Sequence, residues 1–484
     1  MIFKTNPFIL CIIVICILGC NNKERYVREA HNLAKRKCSA CHEFVEAEVL
    51  DRGTWMLSIL PEMTLRAKLN LEERIQIENY YNLVAPDALT PAVSSAKIVR
   101  DNWLFEPLQP KKKISGLATT TLVKTDAATG IIYTSDANQG ALFRWNSNLE
   151  PIDTTPMTYG VSSALFLKDE NNQQKAVFTV IGHLNPNDGA HGSVLEYNLG
   201  KKLKLTDTIA TDLPRPVATA EADFNNDGLT DYLTCGFGHE TGGLFISWQQ
   251  PGKTFNKQEL VSTSGPAQLH IGDFNKDGWQ DFMVLFGNAE ESIRLFTNNK
   301  NGSFTEKRLL NFLPVAGSTS FQVVDMNKDG LPDIIYTCGD NADLSKILKP
   351  FHGLYIYINQ GDFKYEQKYF YPINGCTKAI AADFDNDGDI DIATIAFFAD
   401  FNNNPAEKFI LFEEDSPMHF IPHSPNIETM GRWLCMDVAD YDNDGDLDII
   451  IGNFSQGFIN FPVLKNRWDG RHPFVVMKNN LHHL

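Results

Sequence analysis

From about residue 113 onward, the chain alternates between short apolar runs and short polar runs. Five apolar runs, at residues 232–236, 282–287, 334–339, 392–396 and 449–452, each follow directly on an aspartate, and another apolar run precedes each polar segment. Runs of this length, rich in β-branched and aromatic side chains, predict strands. A third and a fourth run follow each pair, as at residues 353–358 and 366–371. The pattern therefore predicts four strands in each repeat.

The polar segment between the first two strands has the same nine-residue pattern five times, Asp-x-Asn/Asp-x-Asp-Gly-x-x-Asp. The copies begin at residues 223, 273, 325, 383 and 440, which are 50, 52, 58 and 57 residues apart. Four strands in a repeat of this length are the content of one propeller blade. Two further strand–loop–strand segments, residues 118–135 and 164–180, lack the spaced carboxylates and raise the blade count to seven. The predicted fold class is mainly β, a seven-bladed β-propeller over residues 113–484, with the apolar run 474–477 as the outer strand of the last blade.

The nine-residue segments have the oxygen spacing of a hard-cation loop. Carboxylate or amide oxygens stand at positions 1, 3 and 5, a carboxylate stands at position 9, and glycine stands at position 6, where the chain must turn sharply. The flanking strands and the lack of a glutamate at position 12 exclude an EF-hand. Turns rich in aspartate and asparagine that hold no metal are the alternative. The two segments without spaced carboxylates are not expected to bind metal.

This combination of strands and loops resembles the VCBS/FG-GAP repeat family, whose type architecture is the propeller of the integrin alpha subunit. The resemblance implies about five structural Ca²⁺ ions, each held by side chains at positions 1, 3, 5 and 9 and by the carbonyl at position 7, with no open coordination position for catalysis. The implied side-chain ligands are Asp223, Asn225, Asp227, Asp231, Asp273, Asn275, Asp277, Asp281, Asp325, Asn327, Asp329, Asp333, Asp383, Asp385, Asp387, Asp391, Asp440, Asp442, Asp444 and Asp448. The implied carbonyl ligands are those of Leu229, Trp279, Leu331, Asp389 and Asp446.

The formal net charge of −17 argues against nucleic acid as a partner. The implied side-chain ligands include seventeen aspartates, so the loops account for much of this charge. Five Ca²⁺ ions would leave about −7, an ordinary surface charge.

Residues 1–20 have the features of a targeting segment. Lys4 precedes an apolar run at residues 8–18, which is short for a bilayer span and typical of a signal peptide. The run ends in Ile17-Leu18-Gly19-Cys20, which resembles the bacterial lipobox. That resemblance implies a lipid on Cys20, anchorage to a membrane, and a location outside the cytoplasm, either periplasmic or at the outer membrane or cell surface. An uncleaved anchor with a chance cysteine is the alternative.

Cys38-Ser39-Ala40-Cys41-His42 is a c-type haem attachment motif. Two thiols three residues apart can reach both vinyl groups of one haem, and the adjacent histidine then meets the iron. A redox-active thiol pair or half of a zinc site has the same cysteine spacing. No second cysteine pair follows at zinc spacing, which disfavours zinc.

Residues 21–85 resemble a small class I cytochrome c. A helix at residues 26–37 leads into the motif, a loop carrying Met63 follows, and a final amphipathic helix at residues 71–83 ends near two tyrosines. The resemblance implies an all-α domain with covalent haem c and Met63 as its distal ligand; a core methionine is the alternative. The chain departs from the family's common pattern in two ways: Thr64 stands where the family has proline, and the interval from His42 to Met63 is short, at 21 residues.

Three details of this region are also predicted. The apolar positions of the last helix include Leu71, Ile75, Tyr80 and Leu83, and His31 is expected to be a solvated helix residue. Residues 86–112 contain four prolines and are expected to form an extended linker.

The loops that follow the post-metal strands are rich in polar and aromatic residues and should converge on one face of a propeller. They are either a ligand site or solvated loop tips. Cys235, Cys338, Cys376 and Cys435 are expected to be small core residues. No catalytic set stands out, so enzymatic activity is left open.

Three functions are compatible with this organisation, which resembles a group of secreted bacterial proteins. The first is electron transfer between a membrane-tethered haem c and a partner bound by the propeller. The second is a propeller that binds a polysaccharide or a protein, with an ancillary haem. The third is a haem-linked oxidoreductase with a substrate site near His183, His239, His352 or Arg432. The haem motif favours the first and third functions, and the lack of a catalytic set favours the first.

Overall fold

The structure is a computed structural model that describes residues 7–168, 172–342, 344–456 and 468–481, with side chains from residue 23 onward. Cys20 and the rest of the predicted leader therefore lie outside the described side chains, and residues 169–171 of the second degenerate loop lie outside the described chain. Two compact units are present: a helical one that ends at Pro91, with residues 313–315 and 344–349 grouped with it, and a larger one that begins at Ala92. Within the described residues, no helix combines the length and the apolar content needed to cross a bilayer.

Residues 7–91 of the helical unit contain four α-helices. They are α1 (Pro7–Cys38), α2 (Arg52–Thr54), α3 (Leu60–Arg66) and α4 (Leu71–Val84), with a 3₁₀ turn at Ala47–Val49 and a π-helical turn at Trp55–Ile59. A capping box starts α4, because the Asn70 side chain accepts a hydrogen bond from Glu73 N at 3.0 Å and the Glu73 carboxylate accepts one from Asn70 N at 3.2 Å. The helix ends where Ala85 becomes extended before Pro86.

The buried face of α4 agrees with the predicted one at Tyr80 and differs from it at the other predicted positions. Ile77, Tyr80 and Tyr81 are buried, whereas Leu71, Ile75 and Leu83 are 73%, 49% and 45% exposed. Tyr81 decides the orientation of the helix, since its ring lies 4.2 Å from that of Trp55 and its hydroxyl donates to the Val45 carbonyl at 2.9 Å. The polar tips of the tyrosines find partners inside this core, so the aromatic pair outweighs the leucine stripe.

The described residues of the larger unit form 28 strands in seven four-stranded antiparallel sheets. It begins with β1 (Phe105–Leu108). Blade one is β2 (Thr120–Asp126), β3 (Ile131–Asp136), β4 (Ala141–Trp145) and β5 (Pro151–Pro156), and blade two is β6 (Val161–Lys168), β7 (Gln174–Val180), β8 (Gly192–Leu199) and β9 (Leu203–Leu213). Blade three is β10 (Pro216–Ala222), β11 (Asp231–Gly236), β12 (Gly243–Gln250) and β13 (Thr254–Val261), and blade four is β14 (Pro266–Gly272), β15 (Asp281–Phe286), β16 (Ser292–Asn298) and β17 (Phe304–Asn311). Blade five is β18 (Ser318–Val324), β19 (Asp333–Cys338), β20 (Gly353–Asn359) and β21 (Tyr365–Pro372), and blade six is β22 (Cys376–Ala382), β23 (Asp391–Ala396), β24 (Phe409–Ser416) and β25 (His419–His423). Blade seven is β26 (Trp433–Ala439), β27 (Asp448–Asn453), β28 (Phe474–Asn479) and β1.

The seven blades close into a ring. The first strand of each blade contacts the first strand of the next, and β26 contacts β2. In the described chain, seven buried apolar clusters each lie between two neighbouring blades, including one between blades seven and one that contains Ile132, Trp145, Ile450 and Phe474. The predicted seven-bladed propeller is confirmed, and burial between blades is the main source of its stability.

The outer strand of blade seven differs from the predicted one. The run 474–477 belongs to β28, the third strand, and the outer position is filled by β1 from the segment expected to be a linker. Phe105 pairs with Asn479 and Leu108 with Val476, so a strand from before blade one completes the last blade. The reason is that an apolar edge must be covered, and Phe105, which is 1% exposed, fills the core between blades six and seven.

The same segment is held against blade six by contacts to a single histidine, His423. His423 Nδ1 lies 2.8 Å from Asp101 Oδ1, and His423 Nε2 lies 3.0 Å from Glu413 Oε2. The ring of Trp103 stacks on the imidazole at 5.5 Å, and Val99 forms a parallel bridge with His423. Residues 99–108 are therefore an ordered strap of the propeller.

Candidate functional site

The haem attachment motif lies at the carboxyl end of α1. Lys35, Arg36 and Lys37 occupy the last turn, and a turn follows in which Cys41 N donates to Cys38 O at 3.3 Å. Cys38 is half-buried and Cys41 is exposed. Burial, and secondarily the neighbouring Cys41 thiol, raise the pKa of Cys38. A raised pKa lowers the thiolate fraction, so Cys38 itself is a poor attacking thiol.

His42 presents one ring nitrogen for coordination. Its Nδ1 lies 2.7 Å from the backbone carbonyl of Glu43. A carbonyl oxygen only accepts, so Nδ1 must carry the proton, and Nε2 of the neutral ring then carries the lone pair. A hydrogen bond of this kind on the other ring nitrogen is the usual support of a metal-ligating histidine. The donor set of Cys38, Cys41 and His42 thus fits covalent haem c.

Met63 lies on α3, not on the predicted loop. It is half-buried, and Thr64, its neighbour, donates its hydroxyl to the Leu60 carbonyl at 2.7 Å inside the helix. Two leucines of the same region, Leu57 and Leu65, are 83% and 73% exposed. The helix leaves these apolar side chains available to cover an apolar ligand.

His31 is not the solvated residue that was predicted. Its Nε2 lies 3.0 Å from Glu46 Oε2, and its ring meets those of Phe44 and Tyr80 edge-on at 5.4 and 5.3 Å. Tyr80 donates to the same carboxylate oxygen at 3.2 Å. Burial, reinforced by Glu46, raises the pKa of Tyr80. His31, Glu46 and Tyr80 line a groove of about 650 Å³.

All five nine-residue loops have one backbone conformation. The residue at position 4 is left-handed in each, with φ from 55° to 59°, and the glycine at position 6 has φ from 82° to 98°. At Gly228, Gly278, Gly330 and Gly388, an added Cβ would meet no atom within 4 Å. The requirement for glycine is therefore one of backbone angle and not of space.

Side-chain oxygens of the loops point inward onto backbone amides. The glycine N–H at position 6 donates to Oδ2 of the position-1 aspartate at 2.8–3.1 Å in all five loops. Two buried oxygens, Asp383 Oδ1 in blade six and Asp442 Oδ1 in blade seven, accept no hydrogen bond. Buried carboxylate oxygens of this kind fit a bound cation.

The position-9 aspartate joins each loop to the third strand of its blade. It is at most 2% exposed in every loop. Its Oδ1 accepts a hydrogen bond from a backbone N–H of the third strand at 2.8–2.9 Å, and the donors are Gln249, Asn298, Asn359, Glu414 and Asn479. Its Oδ2 accepts a hydrogen bond from the backbone N–H at position 2 of the same loop at 3.0–3.2 Å. Sequence spacing gave no sign of this second role.

Carboxylates crowd most closely in blades six and seven. Among the described residues, two groups bring three such side chains to within 4.8 Å of one another: Asp383, Asp385 and Asp391, and Asp440, Asp442 and Asp444. Burial, with further repulsion from neighbouring carboxylates, raises the pKa of Asp391 to about 7 and of Asp448 to about 8. The carboxylates of these two loops repel one another and are partly removed from water. A divalent cation bound between them would relieve this repulsion.

The first degenerate loop has a different structure. Asp126 pairs directly with Ile131, and its carboxylate accepts from Ala128 N at 3.1 Å and Thr129 Oγ1 at 2.7 Å. The turn is thus too short to carry four spaced oxygen ligands.

The loops after the second strands do converge, as predicted. Phe397, Phe398 and Phe454 pack with Leu184, Ala342 and Leu434, residues from several blades. Of the four candidate substrate contacts, His183 and His239 are exposed, whereas His352 and Arg432 are 1% and 0% exposed. The Arg432 guanidinium lies 3.4 Å above the Phe397 ring, and its Nε donates to the Phe397 carbonyl at 2.9 Å. Arg432 therefore holds the loops together and does not face solvent.

A second cation, Lys408 on the 3₁₀ turn Pro405–Lys408, is buried nearby. It is 2% exposed, lies 4.6 Å from the Trp468 ring centroid, and donates to the Glu428 carbonyl at 2.5 Å. Burial, opposed by Glu428 and reinforced by Arg432, lowers the pKa of Lys408 to about 7. Burial likewise raises the pKa of Glu407 to about 7.

We expect Lys408→Met to stabilise the protein at pH 7 by about 1–3 kcal/mol. The folded-state pKa of Lys408 is about 7, below its ordinary value of 10.5. Between these pH values the unfolded chain binds more protons, so the contribution of Lys408 makes stability rise with pH. Denaturant unfolding at pH 7 and pH 10 should show this rise in the wild type and a smaller rise in the variant. Glu407→Gln is the matched control, because Glu407 acts between pH 4.5 and 7 with the opposite sign; equal slopes for Lys408→Met and wild type above pH 7 would contradict the prediction.

Comparison with known proteins supports the repeat assignment. Residues 223–284 and 273–336 match the FG-GAP-like repeat family, so the chain contains FG-GAP-like repeats, and the matched segments include the loops of blades three, four and five. No match was found among curated proteins. Similar solved structures include BBS1N in complex with ARL6DN, soaked with lead. It is 10% identical to this chain, the match covers 78% of this chain and 98% of that chain, and the TM-score is 0.48. The Pan2 WD40 domain of Neurospora crassa has 9% identity, 75% and 90% coverage, and a TM-score of 0.46.

Proposed function

We propose that this protein is a membrane-tethered c-type cytochrome outside the cytoplasm, which exchanges electrons with a partner that its propeller binds. Cys38 and Cys41 would hold haem c covalently, and His42 would be its proximal ligand. The observation that carries the proposal is the bond from His42 Nδ1 to the Glu43 carbonyl at 2.7 Å, which leaves Nε2 for coordination. When bound, haem c supplies one-electron transfer.

The residues around the motif support this role. Tyr81 anchors α4 to Val45, three residues after His42, so the chain that carries the histidine is fixed against the core. The raised pKa of Cys38 disfavours the alternative of a redox-active thiol pair. The exposed leucines Leu57 and Leu65 flank Met63 in sequence and would cover the edge of an apolar macrocycle.

The propeller would serve as a rigid Ca²⁺-stabilised platform. The ligand set would be the four side chains and one carbonyl in each of five loops, and a shared backbone conformation with inward-facing oxygens supports it. Exposed His183 and His239 on the loops after the second strands make that face the preferred surface for the partner.

Production of the full chain together with a haem-ligation system tests the proposal. We expect a c-type absorption spectrum whose haem stays with the polypeptide after denaturation and acid extraction, because thioether bonds survive both. The double variant Cys38→Ser, Cys41→Ser should lose the retained haem while its propeller still folds. A wild-type chain with no retained haem would overturn the electron-transfer role and leave propeller binding of a polysaccharide or protein as the remaining function.

We expect Met63→Ala to lower the reduction potential of the holoprotein and to open the iron to added imidazole, because a thioether ligand raises the potential of a c-type haem. Potentiometric and imidazole titrations of wild type and variant measure both effects. Met56→Ala is the matched control, since Met56 is also half-buried and lies in the adjoining turn. If Met63→Ala leaves the potential and the imidazole affinity as they are in wild type, Met63 is not the distal ligand.

A further inference from the structure

The five loops differ in how positions 3 and 5 are held together. In blades three, four and five, position 3 is asparagine, and its Nδ2 donates to Oδ2 of the position-5 aspartate. The three bonds are Asn225 to Asp227 at 3.0 Å, Asn275 to Asp277 at 3.2 Å, and Asn327 to Asp329 at 2.9 Å. The asparagine amide thus holds Oδ2 of the position-5 aspartate, while Oδ1 of the same carboxylate accepts the position-7 backbone N–H.

In blades six and seven, position 3 is aspartate, and two ionised carboxylates cannot donate to each other. In blade seven a lysine from β28 supplies the missing donor between the two carboxylates. Lys478 Nζ hydrogen-bonds Asp442 Oδ2 and lies 3.0 Å from Asp444 Oδ2, so an ammonium stands where the amide proton stands elsewhere. In blade six the nearby lysine, Lys328, bonds Asp389 at position 7 instead.

The position of Lys478 is fixed by the sheet. It follows Met477 and precedes Asn479, both 0% exposed, and its own side chain is 20% exposed. Directly opposite on β1 is Glu106, in register with Lys478. Side chains opposed across an antiparallel pair lie on the same face, so Glu106 is the next carboxylate within reach of the ammonium.

We propose that Lys478 is a built-in counter-cation that makes the blade-seven loop a weak, exchangeable Ca²⁺ site, whereas the blade-six loop is the tightest of the five. This inference rests on the proposed calcium role. In blade seven the incoming ion meets a positive charge that already neutralises Asp442 and Asp444, and the repulsion between cations weakens its binding. In blade six Lys328 hydrogen-bonds Asp389, and among the described residues no lysine hydrogen-bonds Asp385 or Asp387.

Ca²⁺ and the closing strand are thereby coupled. An ion bound by Asp440, Asp442 and Asp444 would displace the ammonium of Lys478 from the Oδ2 atoms of Asp442 and Asp444. The lysine would then pair with Glu106 on β1. Occupancy of this one loop therefore strengthens the contact between β28 and the strand that completes the ring.

Ca²⁺ titration of the metal-free full-length protein against a chromophoric chelator tests the inference. We expect four tight sites and one weak site in the wild type, and roughly tenfold or greater tightening of the weak site in Lys478→Met. Lys478→Met should also have a lower melting temperature than wild type without Ca²⁺ and a much smaller deficit with saturating Ca²⁺. The metal-free loop loses the ammonium that holds Asp442 and Asp444, whereas the metal-bound protein loses only a pair with the exposed Glu106. Lys478→Arg keeps the charge and should keep the weak site.

Lys111→Met is the matched control. Lys111 Nζ lies 2.9 Å from Glu150 Oε1, which is not a ligand of any loop, so its removal should leave all five affinities unchanged. Equal affinities for wild type and Lys478→Met, or five equivalent sites in the wild type, would overturn the assignment of Lys478. Failure of every form of the protein to bind Ca²⁺ would instead overturn the calcium proposal on which it rests.

Discussion

On the proposed calcium role of the five loops, removal of Ca²⁺ from the full-length protein is expected to lower its melting temperature by roughly 10–20 °C. A ligand at a hundred times its dissociation constant stabilises the folded state by about 2.7 kcal/mol per site, and five loops share this linkage. Without a cation each loop must hold three or four carboxylates close together, as the raised pKa of Asp391, to about 7, and of Asp448, to about 8, indicates.

Thermal unfolding with chelator, with excess Ca²⁺, and with Ca²⁺-saturated chelator measures the effect. The saturated chelator is the control for direct effects of the reagent. Because sequestered carboxylates drive the change, the loss should be reversed by Ca²⁺ and only partly by Mg²⁺, which prefers fewer protein ligands. A melting temperature that does not respond to chelator would mean that the loops are metal-free turns whose internal hydrogen bonds suffice.

Phe105→Ala is expected to destabilise the propeller by about 3–5 kcal/mol, although Phe105 precedes the repeats in sequence. Its side chain is 1% exposed, meets the Phe384 ring edge-on at 5.6 Å, and fills the core between blades six and seven. Removal of the ring leaves a cavity beside β1, the strand that covers the outer edge of β28 in the described structure, so both packing and ring closure weaken.

Equilibrium denaturation of the variant measures the loss. Val93→Ala is the control from the same segment, because Val93 is 92% exposed and should change stability by less than about 0.5 kcal/mol. Equal stabilities of Phe105→Ala and wild type would mean that β1 is not required for closure. It follows that a propeller fragment starting at residue 113 would lack its last strand and is a poor choice for stability measurements.

Sequence patterns were sufficient to predict those features that depend on residues close together in the chain. The glycine at position 6 of each loop was predicted from a sharp turn, and the φ values of 82° to 98° are those that glycine accepts. Strands on both sides of each loop followed from runs of apolar residues, since every blade buries both faces of its second strand. The candidate haem motif is also a local pattern, since its two cysteines and its histidine lie within five consecutive residues.

Patterns were insufficient where a partner is distant in sequence. Lys478 is 34 residues from Asp444 and was not among the predicted site residues. On α4, periodicity favoured Leu71, Ile75 and Leu83, but the hydrogen bond from Tyr81 to Val45 turned a different face inward. His31 was assigned to solvent because nothing nearby in sequence explained it, and Glu46 lies fifteen residues away.

The sequence by itself determined the number of blades, the place of each candidate metal loop and the residues that could hold a haem, because repeats, turns and attachment motifs are set by neighbours along the chain. Only the tertiary structure decided which strand completes the ring, which loops share a charge with a lysine and which apolar face of α4 is buried. These depend on pairing between residues tens to hundreds of positions apart, where burial of Phe105 and neutralisation of Asp442 and Asp444 select one arrangement among many that the sequence pattern allows.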